Sequence, residues 1–221
     1  MNKLADPEDY LDDFFRDIDA RIGNMRNLAE MAGINPSYSN RFYSWGYAKA
    51  IKGIIDLHKE VGRDLTILDI GTCRSLFPFM IAQFGKVTTF DKSWVKERQK
   101  LYFSNPNIRV EWGSAEALPY ENNSFDVITC MFALTTFADP FKALYEMRRV
   151  LTPNGKIYLV FDFIDELSNL TMEKSGKTFT MKEVTDIVSI FLPIGPVNYQ
   201  MQPKNRVVNN EYSFAFMELG K

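Results

Sequence analysis

The stretch Leu65-Thr66-Ile67-Leu68-Asp69-Ile70-Gly71-Thr72-Cys73-Arg74-Ser75, then an apolar helical pattern, then Lys86-Val87-Thr88-Thr89-Phe90-Asp91, decides the fold. It reads as a strand, a tight glycine turn, a helix and a second strand that ends on a carboxylate. That is the first βαβ unit of a nucleotide-binding architecture. Gly71 lets the chain turn sharply and lets a ligand approach the backbone closely. The start of the following helix offers unpaired N–H groups and a positive dipole end to an anion. Asp91 stands about 20 residues after Asp69, the spacing at which an acid reaches ribose hydroxyls.

Outward from this unit the alternation continues. On the N-terminal side, Phe14, Phe15, Ile18, Ile22, Met25, Leu28 and Met31 recur at helical spacing within an acidic stretch, residues 7–32. A second helix is expected over about 42–60. Downstream, the first strand (about 66–70) is followed by a helix (about 75–84) and a second strand (about 86–90). A helix over 93–103 then leads to a short third strand, about 108–112. The fourth strand spans Phe125 to Cys130, a helix follows from Pro140 to Val150, and the fifth strand spans Lys156 to Phe161. Residues 162–178 break the pattern and read as a loop or insertion. Thr180 caps a further helix, and two last strands fall near 196–201 and 211–218. The expected fold is α/β: a doubly wound, mostly parallel seven-stranded sheet with an antiparallel C-terminal strand pair. Residues 1–60 form a helical cap of the same domain as residues 61–221.

Composition limits the function classes. The chain has 221 residues, within the range of one core, and is 46% hydrophobic and 24% charged. A net charge of −2 gives no electrostatic case for nucleic acid as partner. No apolar run reaches the roughly 18 residues of a membrane span. The acidic start, with Asp6, Glu8, Asp9, Asp12 and Asp13, is unlike a signal peptide. Two cysteines, Cys73 and Cys130, make no disulfide framework, and a cytoplasmic location is expected. With one histidine and two cysteines, no metal site is expected.

Three further segments stand in order with the first. Gly113-Ser114-Ala115-Glu116-Ala117-Leu118-Pro119 follows the third strand. Ser124-Phe125-Asp126-Val127 opens the fourth, and Arg149-Val150-Leu151-Thr152-Pro153-Asn154-Gly155 precedes the fifth. With Asp69-Ile70-Gly71 and Asp91, they resemble the class I S-adenosylmethionine-dependent methyltransferases of the small-molecule branch, over about residues 60–161. The resemblance implies S-adenosyl-L-methionine as cofactor and a small-molecule or metabolite-linked acceptor. It places cofactor contacts at Asp69, Gly71, Asp91, Ala115 and Glu116, and at the strand end near Cys130 and Met131. Thr72, Cys73, Arg74 and Lys92, which flank the two strand ends, join the candidate set. Arg74 is expected to approach the methionine carboxylate with its guanidinium fork.

The departures from the family pattern are specific. The family loop runs close to Asp-x-Gly-x-Gly-x-Gly, whereas Gly71 is followed here by Thr72, Cys73, Arg74 and Ser75. Position 114 is Ser where relatives often carry Asp. Thr135 and Thr136 stand where relatives often carry His. An acceptor oxygen would therefore rely on a carboxylate such as Asp139, Asp162 or Asp165, or on Tyr43. Tyr38, Phe42, Tyr43, Trp45 and Tyr47 read either as helix packing on the sheet or as a lid over the cofactor. The acceptor is expected between that segment, Met131–Thr136 and the 162–178 insertion. Two other readings remain beside methyl transfer. One is a non-catalytic cofactor-binding or scaffold protein on the same fold. The other is a nicotinamide-dependent oxidoreductase, opposed by the lack of a G-x-G-x-x-G loop.

Overall fold

A computed structural model describes residues 12–37, 41–93, 95–102, 104–163, 179, 181–191, 198–201 and 213–221. The expectations for the acidic start before residue 12, for Tyr38, for Asp165 and for the insertion over 164–178 lie outside these residues.

Two long helices lead, α1 (Asp13–Met31) and α2 (Arg41–Val61). The Asp12 side chain caps α1 by accepting from the Phe14 N–H. Then come β1 (Leu65–Ile70), α3 (Phe77–Ile81) with a 3-10 turn over Ala82–Phe84, β2 (Gly85–Asp91), α4 (Val95–Tyr102) and β3 (Ile108–Trp112). The second half comprises β4 (Phe125–Met131), a 3-10 turn over Leu134–Thr136, α5 (Pro140–Val150), β5 (Leu151–Phe163), α6 (Met181–Phe191), β6 (Asn198–Met201) and β7 (Ser213–Gly220). The helix expected over 75–84 is shorter as α-helix, because the Ser75 hydroxyl caps the Phe77 N–H and the last residues tighten into 3-10 geometry. Strand β5 starts earlier than expected. Leu151 already pairs with Phe125, and the ladder resumes at Val127 opposite Lys156 after an irregularity.

The sheet order is β3-β2-β1-β4-β5-β7-β6. Strands β1 to β5 pair in parallel; β7 runs antiparallel to β5 and to β6. The chain winds outward from β1 to β3 and then crosses to β4 on the other side of β1. This β1/β4 boundary is the topological switch point at which open α/β sheets bind ligands.

Side-chain alternation along the strands builds two core layers. Leu65 and Ile67 of β1, Val127 and Met131 of β4, and Tyr158 and Val160 of β5 face one layer. There they meet Trp45, Ile51, Ile54 and Leu57 of α2 and Phe15, Ile18 and Ile22 of α1. Leu68, Ile70, Ile128, Cys130, Ile157, Leu159 and Phe161 face the other, against Ala143, Leu144 and Met147 of α5 and Ile187 and Phe191 of α6. Both faces of the central strands are dry, as a parallel sheet requires.

Candidate cofactor site

A cavity of about 280 Å³ opens at the carboxyl ends of the parallel strands. Its walls come from the ends of β1 (Ile70, Gly71) and β2 (Phe90, Asp91), from the turns after them (Cys73, Lys92, Ser93), and from the segments after β3 (Gly113, Ala115, Glu116) and β4 (Ala133, Thr136, Phe137). Of the residues proposed from sequence, Gly71, Cys73, Asp91, Lys92, Ala115 and Glu116 meet here. Sequence reasoning did not single out Ser93, Phe90 or Phe137.

Asp91 organises the site. Its Oδ2 accepts the backbone N–H of Cys73 at 2.8 Å, and its Oδ1 accepts that of Ser93 at 2.8 Å. Each carboxylate oxygen has further acceptor capacity beyond one such bond. Cys73 adopts φ 49°, in the left-handed region, at the position where the family pattern has its second glycine. The backbone shape of a glycine loop is thus kept with a side chain added. Gly71, φ 72°, allows the close approach of this loop to the next crossover: a Cβ there would meet the Ala133 Cβ at 2.2 Å.

Four candidates lie behind the walls. Asp69 is buried, 2% exposed, and its Oδ1 accepts the Thr129 hydroxyl at 2.5 Å across the β1–β4 pair. Burial pushes its carboxyl up to about 6, against the pull of hydrogen bonds from Thr129 and Thr72 and of the nearby Arg98 charge. Thr72 is buried too and donates to the Asp69 carbonyl at 2.7 Å. Cys130 and Met131 point into the two core layers, because strand alternation aims side chains at the sheet faces rather than along the strand end. Burial pushes the Cys130 thiol up. The β4 side of the cavity is built two to six residues further on, by Ala133, Thr136 and Phe137. Arg74 is half-buried and outside the cavity lining; its carbonyl accepts the Ser37 N–H at 2.9 Å.

Glu116 lines the cavity while bracing it. Its Oε1 accepts the Ala138 N–H at 3.0 Å, and its carboxylate also pairs with the Ser114 hydroxyl. Burial pushes the Glu116 carboxyl up, but these bonds outweigh it and hold the group below its ordinary range. Beneath the β2 and β3 ends sits Arg98, fully buried, which no sequence signal marked.

Residues 68–159 match the family described as methyltransferase domain. An uncharacterized methyltransferase, YcgJ, of Bacillus subtilis is 43% identical over 119 residues, covering 52% of this chain and 47% of that one. The ubiquinone/menaquinone biosynthesis C-methyltransferase UbiE of Escherichia coli is 38% identical over 112 residues, covering 47% and 44%. The crystal structure of the Bacillus YcgJ protein superposes with a TM-score of 0.58 at 18% identity, covering 77% of this chain and 98% of that one. Over residues 68–159, less than half of its length, the chain is similar to the methyltransferase domain family, and its fold is that of the solved methyltransferases. It spans less than half the length of the curated relatives it matches.

The likeness implies S-adenosyl-L-methionine as cofactor, and the residues present fit it. Asp91 keeps acceptor capacity for ribose hydroxyls. Gly113 supplies bare backbone beside the Phe90 ring, where a Cβ would meet the Phe90 Cζ at 2.5 Å. Two of the methyltransferase motif residues act elsewhere. Asp126 sits at the opposite end of the sheet. It takes a two-pronged bond from Arg63, both arms 2.9 Å, and accepts the Thr66 N–H and hydroxyl. Arg149 ties α5 to the β3–β4 connection through the carbonyls of Leu118 and Tyr120, and pairs with Glu146 on its own helix.

The catalytic candidates are not brought together. Asp139 is exposed and caps α5, accepting the Lys142 N–H at 3.0 Å. Asp162 lies within β5, its side chain outside the described residues. Tyr43 is half-buried with its ring edge-on to Phe132 at 4.7 Å between centroids. Trp45 and Tyr47 belong to the core: both are 1% exposed, and the Tyr47 hydroxyl pairs with that of Ser75 at 3.0 Å. These two residues support α2 against the sheet and do not form a lid. Among the described residues, no helix is long and apolar enough to cross a membrane.

Proposed function

We propose that this chain transfers a methyl group from S-adenosylmethionine to a small-molecule acceptor. The observation that carries this reading is the Asp91 carboxylate, held by the Cys73 and Ser93 amides at the mouth of a cavity at the switch point. When bound, the cofactor supplies a methyl group already activated by its sulfonium. The chain's own work is to bind and align. Asp91 receives the ribose hydroxyls, the Gly113–Ala115 backbone faces the adenine edge, and the Gly71–Cys73 loop borders the methionine side. Glu116 braces the adenine side against the turn after β4.

The finer reading is an electron-rich aromatic acceptor methylated at carbon. UbiE is named as a C-methyltransferase of ubiquinone and menaquinone biosynthesis. A ring hydroxyl on such an acceptor supplies electron density to the attacking carbon. That carbon gains the methyl group and gives up its proton to solvent, so no strong base is required. This accords with Thr135 and Thr136, rather than a histidine, in the turn after β4. Tyr43, half-buried and edge-on to the buried Phe132 after β4, is the aromatic group we assign to meet such a ring.

Titration calorimetry tests the cofactor: S-adenosylhomocysteine is expected to bind and NAD to give no heat. Transfer of a labelled methyl group to a panel of substituted hydroquinones tests the acceptor. NAD binding without a response to S-adenosylhomocysteine overturns the first reading. Labelling of amine or carboxylate compounds alone overturns the second.

A further inference from the structure

We propose that Arg98 is a positioning residue for the adenosine half of the cofactor: its buried guanidinium ties the ends of β2 and β3 together and so aims Asp91. This rests on the reading of the cavity as an adenosyl site.

Arg98 lies on α4, which packs on β3, and it is fully buried. One guanidinium arm donates to the Thr89 carbonyl at 3.2 Å and to the Thr89 hydroxyl at 3.3 Å. The other donates to the Asp91 carbonyl at 3.1 Å and to the Glu111 carbonyl at 2.9 Å. These acceptors span the carboxyl ends of both strands, just where the parallel ladder stops at the Asp91–Trp112 rung. Beyond that rung the only backbone bond from Gly113 to Asp91 is long, 3.4 Å. The geometry of the last turn is therefore set largely by the planar fork. The residues beyond it, Asp91 to Ser93 and Gly113 to Ala115, are cavity walls. Moving the two strand ends apart would separate the ribose acceptor from the backbone that faces the base.

Burying a guanidinium is strongly unfavourable unless it is well bonded and opposed by charge. Burial lowers the Arg98 pKa, and the carboxylates of Asp91 and Asp69 oppose that, with Tyr102 and Cys73 the other groups facing it. Arginine stays charged in such a setting. An apolar residue would close α4 on the sheet at a lower desolvation cost, but it would leave three strand-end carbonyls without this donor.

The test is a ligand-side cycle that a role in stability alone would not move. Affinities for adenosine, 2′-deoxyadenosine and 3′-deoxyadenosine are measured by calorimetry on the parent, Arg98→Lys and Arg98→Gln, with circular dichroism confirming the fold. The parent is expected to favour adenosine over at least one deoxy form by about tenfold, the loss of one hydrogen bond to an ionised acceptor. In both variants that ratio is expected to shrink to about threefold or less, because neither side chain spans the four acceptors. A folded variant that binds adenosine more weakly but keeps the parent ratio overturns the proposal. If neither variant folds, Thr89→Val removes one acceptor while keeping the shape; an unchanged ratio there overturns it equally. A parent that binds no adenosyl ligand sinks the cofactor reading instead, a separate and distinguishable outcome.

Discussion

The backbone N–H of Cys73 donates to Asp91 Oδ2 at 2.8 Å, so the loop after β1 and the acidic end of β2 form one unit. Ser93 completes it from the other side. A single carboxylate thus serves two purposes: it shapes the loop that borders the cavity and it faces the cavity as an acceptor. Loss of that charge removes both.

Asp91→Ala is expected to weaken S-adenosylhomocysteine binding by about 1–3 kcal/mol through lost charge-assisted bonds. Asp91→Asn is expected to lose a comparable amount. Its amide nitrogen would face either the Cys73 or the Ser93 N–H, donor against donor. Calorimetry on both variants checks this; binding equal to the parent in Asp91→Asn would show that the charge is dispensable.

Cys73 sits at φ 49°, where a residue with a Cβ is strained by about 1–2 kcal/mol. Cys73→Gly relieves that strain, and the extra freedom of glycine in the unfolded chain returns about 0.5–1 kcal/mol of it. The expected result is a stability equal to or slightly above the parent. Cys73→Val, β-branched in the same conformation, is expected to cost more than 1 kcal/mol, about the strain of a misfit backbone. Denaturant unfolding of the two variants side by side decides the matter.

Asp69 gives a pH signature. Burial raises its carboxyl from 3.8 to about 6. Between these values the folded state holds a proton that the unfolded chain has released. Folding therefore becomes more favourable as pH falls through the window, by up to about 3 kcal/mol at 1.36 kcal/mol per unit. Above about pH 6 the ionised group burdens the fold in full. Asp69→Asn keeps an acceptor for Thr129 and removes the charge. It is expected to raise the melting temperature at pH 7.5 and to lose that advantage near pH 4. A melting difference that stays constant from pH 4 to 8 contradicts this.

Asp126 provides the contrast, a motif residue far from the cavity. Burial pushes its carboxyl up, but bonds from Arg63 and Thr66 hold it below the ordinary range. Its contribution is present above the unfolded-state pKa and is lost as pH falls through the lower folded value. Asp126→Ala leaves the Thr66 N–H without its partner and is expected to cost about 2–3 kcal/mol of stability. Cofactor affinity of the folded fraction should not change; a selective affinity loss would place Asp126 in the site.

What was legible in the sequence was local. Asp69-Ile70-Gly71, Asp91 and the Gly113–Glu116 segment each stand at a strand end, so their strands fix where they lie. Cys130 and Met131 were placed one step too early, since side chains within a strand face the layers and the cavity begins past its end. Arg98 was illegible because nothing local distinguishes it from its neighbours on a charged helix. Its burial arises only when α4 closes over the β2 and β3 ends. The left-handed Cys73 was hidden for a similar reason. The sequence displays a missing glycine, while the loop keeps the glycine conformation because the amide must reach Asp91.

The aromatic segment before β1 separates into two roles that mutation can resolve. Trp45 is 1% exposed and packs edge-on to Phe216, deep between α2 and the sheet. Trp45→Ala is expected to cost about 3–5 kcal/mol, the range for deleting a large buried aromatic. Any loss of activity in that variant should follow the fraction folded. Tyr43 is half-buried and meets Phe132, itself held at φ 60° directly after β4. Tyr43→Phe preserves the edge-on ring contact, so stability should stay within about 0.5 kcal/mol of the parent. The two variants should therefore differ in kind: a lower melting temperature with unchanged turnover per folded molecule for Trp45→Ala, and an unchanged melting temperature for Tyr43→Phe. Turnover of an identified acceptor then reads the Tyr43 hydroxyl directly. A raised KM with unchanged kcat would place it as an acceptor contact, and parent-like constants would leave the aromatic face, rather than the hydroxyl, as what Tyr43 contributes. A Trp45→Ala protein that stays fully stable and loses acceptor turnover would restore the lid role that its burial argues against.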